Sequence, residues 1–366
     1  MTLITYISRV HFADGVLEVA LSSELELYKL SRPLLVSEQN VVSKDFIERI
    51  SSGIPFWCEQ NAHLLNKNES VEQAISRLRD NIDKVEADVV VAFGSSLALR
   101  VADACCKSLS DTDDSHVPEL FVIPGVDGIP TMSMPRSGAA RTSLQEAGIQ
   151  PAMVIIDPTL MLGESTERTA SAAANALARC LSTHFSSAYN PPADGIAVEG
   201  FKRIARNIST IAQEDTLEMR RELMAASLNA TLAMLKNPGI AQELCKIILQ
   251  ATRHPIDEGA LMRLLIVIEA ELMEAHWSRQ REKEVRTTLG VPDGITLKNW
   301  LLSLLNRFAL PRTLIELGLN EKTISDAARE LADARAMLVP SAEVLIQMLK
   351  NVNLGHESMA ATQDFA

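Results

Sequence analysis

Up to about residue 162, short blocks of consecutive apolar residues alternate with longer amphipathic stretches. "RPLLVSE" (Arg32 to Glu38), "ADVVVAF" (Ala87 to Phe93), "ELFVIP" (Glu119 to Pro124) and "AMVIIDP" (Ala152 to Pro158) are such blocks. Runs this short and this rich in Val, Ile and Leu predict strands of a parallel sheet, buried on both faces. Between them, "SVEQAISRLRDNI" (Ser70 to Ile82) places its apolar residues at helical spacing. Strand–helix alternation predicts an α/β domain with parallel pairing. After residue 162 the period is helical almost throughout. "TLEMRRELMAASLNATLAMLK" (Thr216 to Lys236), "EGALMRLLIVIEAELMEAHWSRQREKEV" (Glu258 to Val285) and "SDAARELADARAML" (Ser325 to Leu338) carry it. "NPG" (Asn237 to Gly239) and "GVPDG" (Gly290 to Gly294) interrupt it. The expected organisation is an α/β nucleotide-binding domain over 1–162 and an all-α domain over 163–366, ending in a frayed tail from Gly355.

Composition narrows the function classes. The chain has 366 residues, enough for two cores, and a formal net charge of −12. That balance excludes a nucleic-acid or anionic-membrane surface as the expected partner. No apolar run reaches the roughly 18 to 20 residues needed to span a bilayer, and "MTLITYISRVHF" lacks the pattern of a secretory signal. Five cysteines without a CxxC spacing suggest neither a disulfide framework nor a zinc knuckle. A reduced, cytoplasmic setting is expected.

In an open α/β sheet, ligands bind beyond the carboxyl ends of the strands, where helix N-termini offer free N–H groups. "AFGSSLALRVADA" follows a strand and opens a helix. Gly94 permits close backbone approach, and Ser95 and Ser96 add hydroxyls suited to a diphosphate. Glu38 ends the preceding strand block. A carboxylate there can accept from a ribose diol and repels a 2′-phosphate. Each feature is equally ordinary for a strand end taken alone.

Together these segments resemble the iron-containing alcohol dehydrogenase superfamily, which also holds glycerol dehydrogenases, dehydroquinate synthases and maleylacetate reductases. "RPLLVSEQNVVSKDFIERI" looks like the family's first nucleotide-binding strand and helix, and "AFGSSLALRVADA" like its GGGS phosphate turn. "IPTMSMPRSG" (Ile129 to Gly138) looks like its IPTTxGTGSE segment, "MVIIDPTLMLG" like its "IDP" strand, and "FALPRTLIELGL" (Phe308 to Leu319) like its late LPxxLxELG helix. The likeness is strongest to maleylacetate reductases: "NALARCLSTHFSSAYNPPADGIAVEGFKRI" (Asn175 to Ile204) needs no gap against their helix and following loop.

The resemblance implies a Rossmann-like α/β domain followed by an all-helical domain. It implies NAD, or NADP, held by Glu38, Gly94, Ser95, Ser96, Thr131 and Ser133. Metal-dependent relatives bind a divalent ion with an Asp and a His one turn apart and two further His. Here the matching positions hold Asn175 and Arg179, then Leu244 (or Ile248) and Glu258. Leu and Ile cannot ligate, and a guanidinium has no lone pair and repels a dication, so no metal is expected. His254 with Glu258 and His184 do not rebuild the set. Ala92–Phe93–Gly94–Ser95 replaces Gly-Gly-Gly-Ser, so Phe93 is expected to crowd the diphosphate. The chain is also shorter than its relatives between Ser137 and Ile155.

Arg179 is expected to stand where the cation stood, paired with Glu258, while Asn175 hydrogen-bonds the substrate. The implied activity is a nicotinamide-dependent, metal-independent reduction of a small oxo or unsaturated carboxylic acid, of aromatic breakdown or a secondary pathway. A non-catalytic nucleotide- or partner-binding relative and a lyase or cyclase on the same fold stay open, as does a homodimer.

Overall fold

The computed structural model describes residues 9–38, 44–66, 69–110, 117–128, 151–234, 236, 239–252, 256–335 and 339–354. The chain divides into two compact units, one from Leu3 to Glu164 and the other from Ser165 onward.

The first unit runs β1 (Val10–Phe12), α1 (Leu17–Tyr28), β2 (Pro33–Glu38), α2 (Lys44–Gly53), β3 (Asn61–Leu65), α3 (Val71–Val85), β4 (Val89–Gly94), α4 (Ser96–Ser110), β5 (Glu119–Pro124) and β6 (Met153–Ile156). The strands form one sheet in the order β1-β6-β5-β4-β2-β3, every pair parallel. Continuous apolar runs make the central strands: all six residues of β4 and all four of β6 are buried. The two strands that the apolar runs did not mark, β1 and β3, are its edges. Both are short, and β3 alternates exposed and buried positions. Helix α3 begins where the sequence suggests, because Ser70 and Gln73 form a reciprocal capping box.

The second unit is helical: α5 (Thr166–Phe185), α6 (Pro191–Arg206), α7 (Leu217–Ala233), α8 (Ile240–Ala251), α9 (Glu258–His276), α10 (Arg279–Leu289), α11 (Leu297–Leu305), α12 (Glu321–Ala334) and α13 (Ala342–Asn351). Helix α5 is its axis and packs against α6, α7, α8 and α9. The helical run from Glu258 to Val285 is two helices, not one. The break falls at Trp277–Ser278, where the Ser278 hydroxyl accepts the Arg281 amide and starts α10 afresh. "FALPRTLIELGL" is also not a helix. It is a turn-rich segment ending at Gly318 (φ +84°). The fully buried Arg263 of α9 pins it by donating to the carbonyls of Leu305, Phe308, Leu310 and Pro311. The tail from Gly355 lies outside the described residues.

Candidate active site

The chain leaves β2 for β3 on one side and returns through β4 on the other, so the sheet reverses direction of growth between β2 and β4. Such a switch point opens a crevice at the carboxyl ends of its two strands. The register sets Val36 opposite Ala92, so Glu38 and Gly94 close neighbouring strand ends. Gly94 has φ +92°, a conformation that L side chains rarely adopt. Its carbonyl turns aside to accept the Gly125 amide at 2.7 Å, and a Cβ on Gly125 would sit 2.7 Å from that oxygen. Ser95 is buried, and its hydroxyl accepts the Ala98 amide at 3.2 Å. Ser96 and Leu97 follow at the first turn of α4, whose leading amides have no acceptor within the helix. A glycine turn, a hydroxyl and uncommitted amides at a switch point fit the diphosphate of a dinucleotide.

Phe93 does not crowd this turn. Its ring is buried and packs on Phe46 of α2, with ring centroids 5.7 Å apart. The side chain before Gly94 serves the core of the first unit. Thr131 and Ser133 lie outside the described residues, as does most of the segment between Ser137 and Ile155.

In the second unit, Asn175 and Arg179 stand one turn apart on α5, and Glu258 is the first residue of α9. Arg179, 6% exposed, forms an ion pair with Glu258 through Nη2 and Oε1. Two features draw the helices together there. The Ser171 hydroxyl of α5 donates to Asp257, the N-cap of α9. Gly259 lies so close to Ser171 that a Cβ would meet its carbonyl oxygen at 2.0 Å. Among the described residues the guanidinium has no protein partner besides Glu258, and none of its nitrogens is a buried, unpaired atom. Among the described residues, the other donors of the fork meet no protein acceptor. The Asn175 Oδ1 is buried without a partner.

From α8, Leu244 and Ile248 are fully buried among apolar residues of that helix face. Gln242 is the α8 side chain that reaches α5, its amide donating to the Arg179 carbonyl at 3.4 Å. Gln242, Ser171 and Asp257 were not singled out from sequence. Their roles depend on how closely the helices cross, and only Gly259 hints at that crossing. These residues do not fit a divalent ion: one is a cation, two are hydrocarbon and only Glu258 is an ordinary ligand. Among the described residues no cluster of three or more His, Cys, Asp or Glu could hold a metal. His254 lies outside them.

Other buried polar groups hold α5 in place. The carboxyl of Glu269, 1% exposed, accepts from the Ser182 hydroxyl and from the Ile240 and Ala241 amides that open α8. Burial pushes its pKa up to about 7 against those hydrogen bonds. At the same C-terminal end of α5, Lys236 donates to the carbonyls of Thr183 and Ser186 and to Asp194. Arg281 takes the His184 carbonyl. His184 is buried with neither ring nitrogen hydrogen-bonded, Asp194 lying 3.9 Å from Nδ1, and burial, with Arg281 and Lys236 nearby, takes its pKa down to about 4.

No protein-family model matches the chain. It is 24% identical to a 4-hydroxybutyrate dehydrogenase of Cupriavidus necator over 361 residues, covering 88% of this chain and 91% of that protein. Among solved structures it is similar to an iron-containing alcohol dehydrogenase from Corynebacterium glutamicum (TM-score 0.76, 16% identity, 97% of this chain and 98% of that one). A maleylacetate reductase from Agrobacterium tumefaciens superposes with TM-score 0.74 at 19% identity, over 96% and 99% of the two chains. A sulfoacetaldehyde reductase from Bifidobacterium kashiwanohense, solved with NAD+, gives 0.79 at 19%, over 96% and 98%. The fold is thus the one these proteins share, and its relative and structural neighbours are dehydrogenases and reductases.

Proposed function

We propose that this chain, which has the fold of the iron-containing alcohol dehydrogenases, is an NAD-dependent, metal-independent oxidoreductase acting on a small oxo or unsaturated carboxylic acid. The observation that carries the reading is the Arg179–Glu258 pair at the crossing of α5 and α9, where the guanidinium has no other protein partner among the described residues. A fixed cation with open planar donors is what a carboxylate or a polarised carbonyl needs. The positive charge of Arg179 stabilises the negative charge that grows on substrate oxygen as the carbon is reduced. Glu258 holds the fork in one orientation, and Asn175 offers an amide one turn away. On the first unit, the amides that open α4, with Ser95 and Ser96 (and Thr131 and Ser133 from the segment that follows β5), bind the phosphates. Glu38 takes the adenosine ribose. When bound, NADH would supply the hydride.

The names of the similar proteins support the substrate class: 4-hydroxybutyrate and maleylacetate both carry carboxylates. The NAD+ in the sulfoacetaldehyde reductase structure supports the cofactor. Five free cysteines, and no helix among the described residues long and apolar enough to cross a membrane, support a cytoplasmic enzyme. NADH oxidation with a panel of oxo acids tests the activity. A second reading, a nucleotide-binding relative without turnover, takes the same ion pair as a plug that fills the site. It predicts enhanced NADH fluorescence on binding and no oxidation with any acid.

A further inference from the structure

The first turn of α8 is held from outside its own helix. Gly239, at its N-cap, offers no side chain to the leading amides. The Ile240 and Ala241 amides donate instead to the carboxyl of Glu269 on α9, one to each oxygen, at 3.0 Å. The Ser182 hydroxyl of α5 donates to the same carboxyl at 2.6 Å. One buried group thus joins three helices, and Gly239 makes room for it: a Cβ there would collide with Glu269 Oε1 and Ser182 Oγ. The same turn of α8 carries Gln242, whose amide donates to the Arg179 carbonyl at 3.4 Å and to Thr183 Oγ1 at 3.5 Å. The grip of Glu269 on α8 therefore sets how α8 meets α5 at Arg179.

Three donors on two oxygens suit a carboxylate. An added proton turns one oxygen into a donor, and an amide facing it loses its acceptor. Burial drives the pKa of Glu269 up to about 7, while Ser182 and the two amides hold it down. On α8, Glu243 pushes it further up, although Arg335 at the end of α12 pairs with Glu243. On α5, Arg179 is paired with Glu258, and His184, with its pKa near 4, is neutral at pH 7. Helices α11 and α13 also pack on α9, and the side chains they bury are Leu and Trp. A proton on Glu269 also ends the cost of a buried charge, so the unit stays folded and the loss is confined to the start of α8.

We propose, resting on the reading of Arg179 above, that Glu269 is a positioning residue for the Arg179 site: as a carboxylate it caps α8 and keeps Gln242 on the α5 main chain, and on taking a proton it lets the first turn of α8 go. The site is then in its working arrangement above neutrality and loosened below it.

Hydrogen exchange and NMR on the full chain test this without turnover. Exchange of the amides from Ile240 to Glu243, corrected for the intrinsic pH dependence, should lose about tenfold in protection from about pH 8 to pH 6, the scale of one hydrogen bond to a charged group. The interior of α9 should keep its protection. The Arg179 Nε–H resonance, assigned with Arg179→Lys, should shift with the same midpoint, and the KM for an oxidising oxo acid in the NADH assay should rise as protection falls. Glu269→Gln, neutral at every pH, should show the low protection and high KM throughout, with a melting temperature no lower than the parent's at pH 8. Ser182→Ala removes a donor that holds the pKa down, so its midpoint should move up. Protection that does not change between pH 8 and 6, a change that persists in Glu269→Gln, or an Arg179 signal that ignores it overturns the proposal. Oxo-acid reduction with no such change leaves the proposed activity standing and removes this inference. Coupled changes at α8 and Arg179 in a protein that oxidises NADH with no acid would do the reverse.

Discussion

Removing one charge of the Arg179–Glu258 pair should not cost the same on both sides. Arg179 has a side chain 7% exposed, whereas that of Glu258 is 24% exposed. After Arg179→Met, the carboxylate can turn toward water at the open start of α9, where helix amides and the helix dipole favour a negative charge. The expected loss is about 1–2 kcal/mol, below the range for a fully buried pair. After Glu258→Leu, the guanidinium stays where α5 puts it, nearly dry and unpaired, and the expected loss is about 3 kcal/mol. In a unit of some 200 residues these losses correspond to roughly 2–4 °C per kcal/mol in melting temperature. The double variant Arg179→Met with Glu258→Gln removes both charges and should recover most of the stability, because no charge is left unmatched. Melting curves are read beside NADH oxidation with a preferred oxo acid. Turnover should fall in all three variants and should not return in the double one. Equal losses in the two single variants would refute the burial argument. A folded double variant that turns over at the parent rate would remove Arg179 from the chemistry.

Glu38 closes β2 beside Gly94, so NAD(H) should bind more tightly than NADP(H), and Glu38→Ala should narrow the gap; equal or reversed affinities in the parent would take Glu38 away from the ribose. Acid should destabilise the protein between about pH 6.5 and 4.5. Burial, with Arg77 near His63 and with Arg281 and Lys236 near His184, takes both imidazoles from the ordinary 6.5 down to about 4, so the unfolded chain binds two protons that the native state refuses. Glu269, pushed from 4.5 up to about 7, opposes them by one proton. The net slope is about 1.4 kcal/mol per pH unit, with stability falling as pH falls and the histidine contribution exhausted near pH 4. Urea midpoints across this range check it, and stability that rises on acidification would contradict the assignment.

The central sheet was legible because a strand buried on both faces needs an unbroken apolar run, and "ADVVVAF" and "AMVIIDP" have no other stable place. The edges β1 and β3 were not, since an edge strand of three or five residues leaves so short a pattern. The helical period could not show the break at Ser278: apolar positions continue across it, and a single hydroxyl makes the new start. At the site, the odd pairing of Asn175 and Arg179 on one helix face was readable from the resemblance, and so was Glu258 opposite. What could not be read was the depth of the pair, or that Gln242 of α8 hydrogen-bonds to α5. That register is set by Gly239, where a Cβ would meet Glu269 and Ser182 oxygens at 2.2 Å, so the α8 backbone lies directly on α5 and α9.

The central claim is that a guanidinium stands where similar enzymes are served by a metal, and that the site still reduces an oxo acid. The most direct test is one preparation assayed twice: elemental analysis of the purified protein, then NADH oxidation with succinic semialdehyde before and after exhaustive chelation. The account predicts no stoichiometric iron or zinc and the same rate in both assays. About one tightly bound transition metal per chain, or activity lost on chelation and restored by adding the metal back, would contradict it.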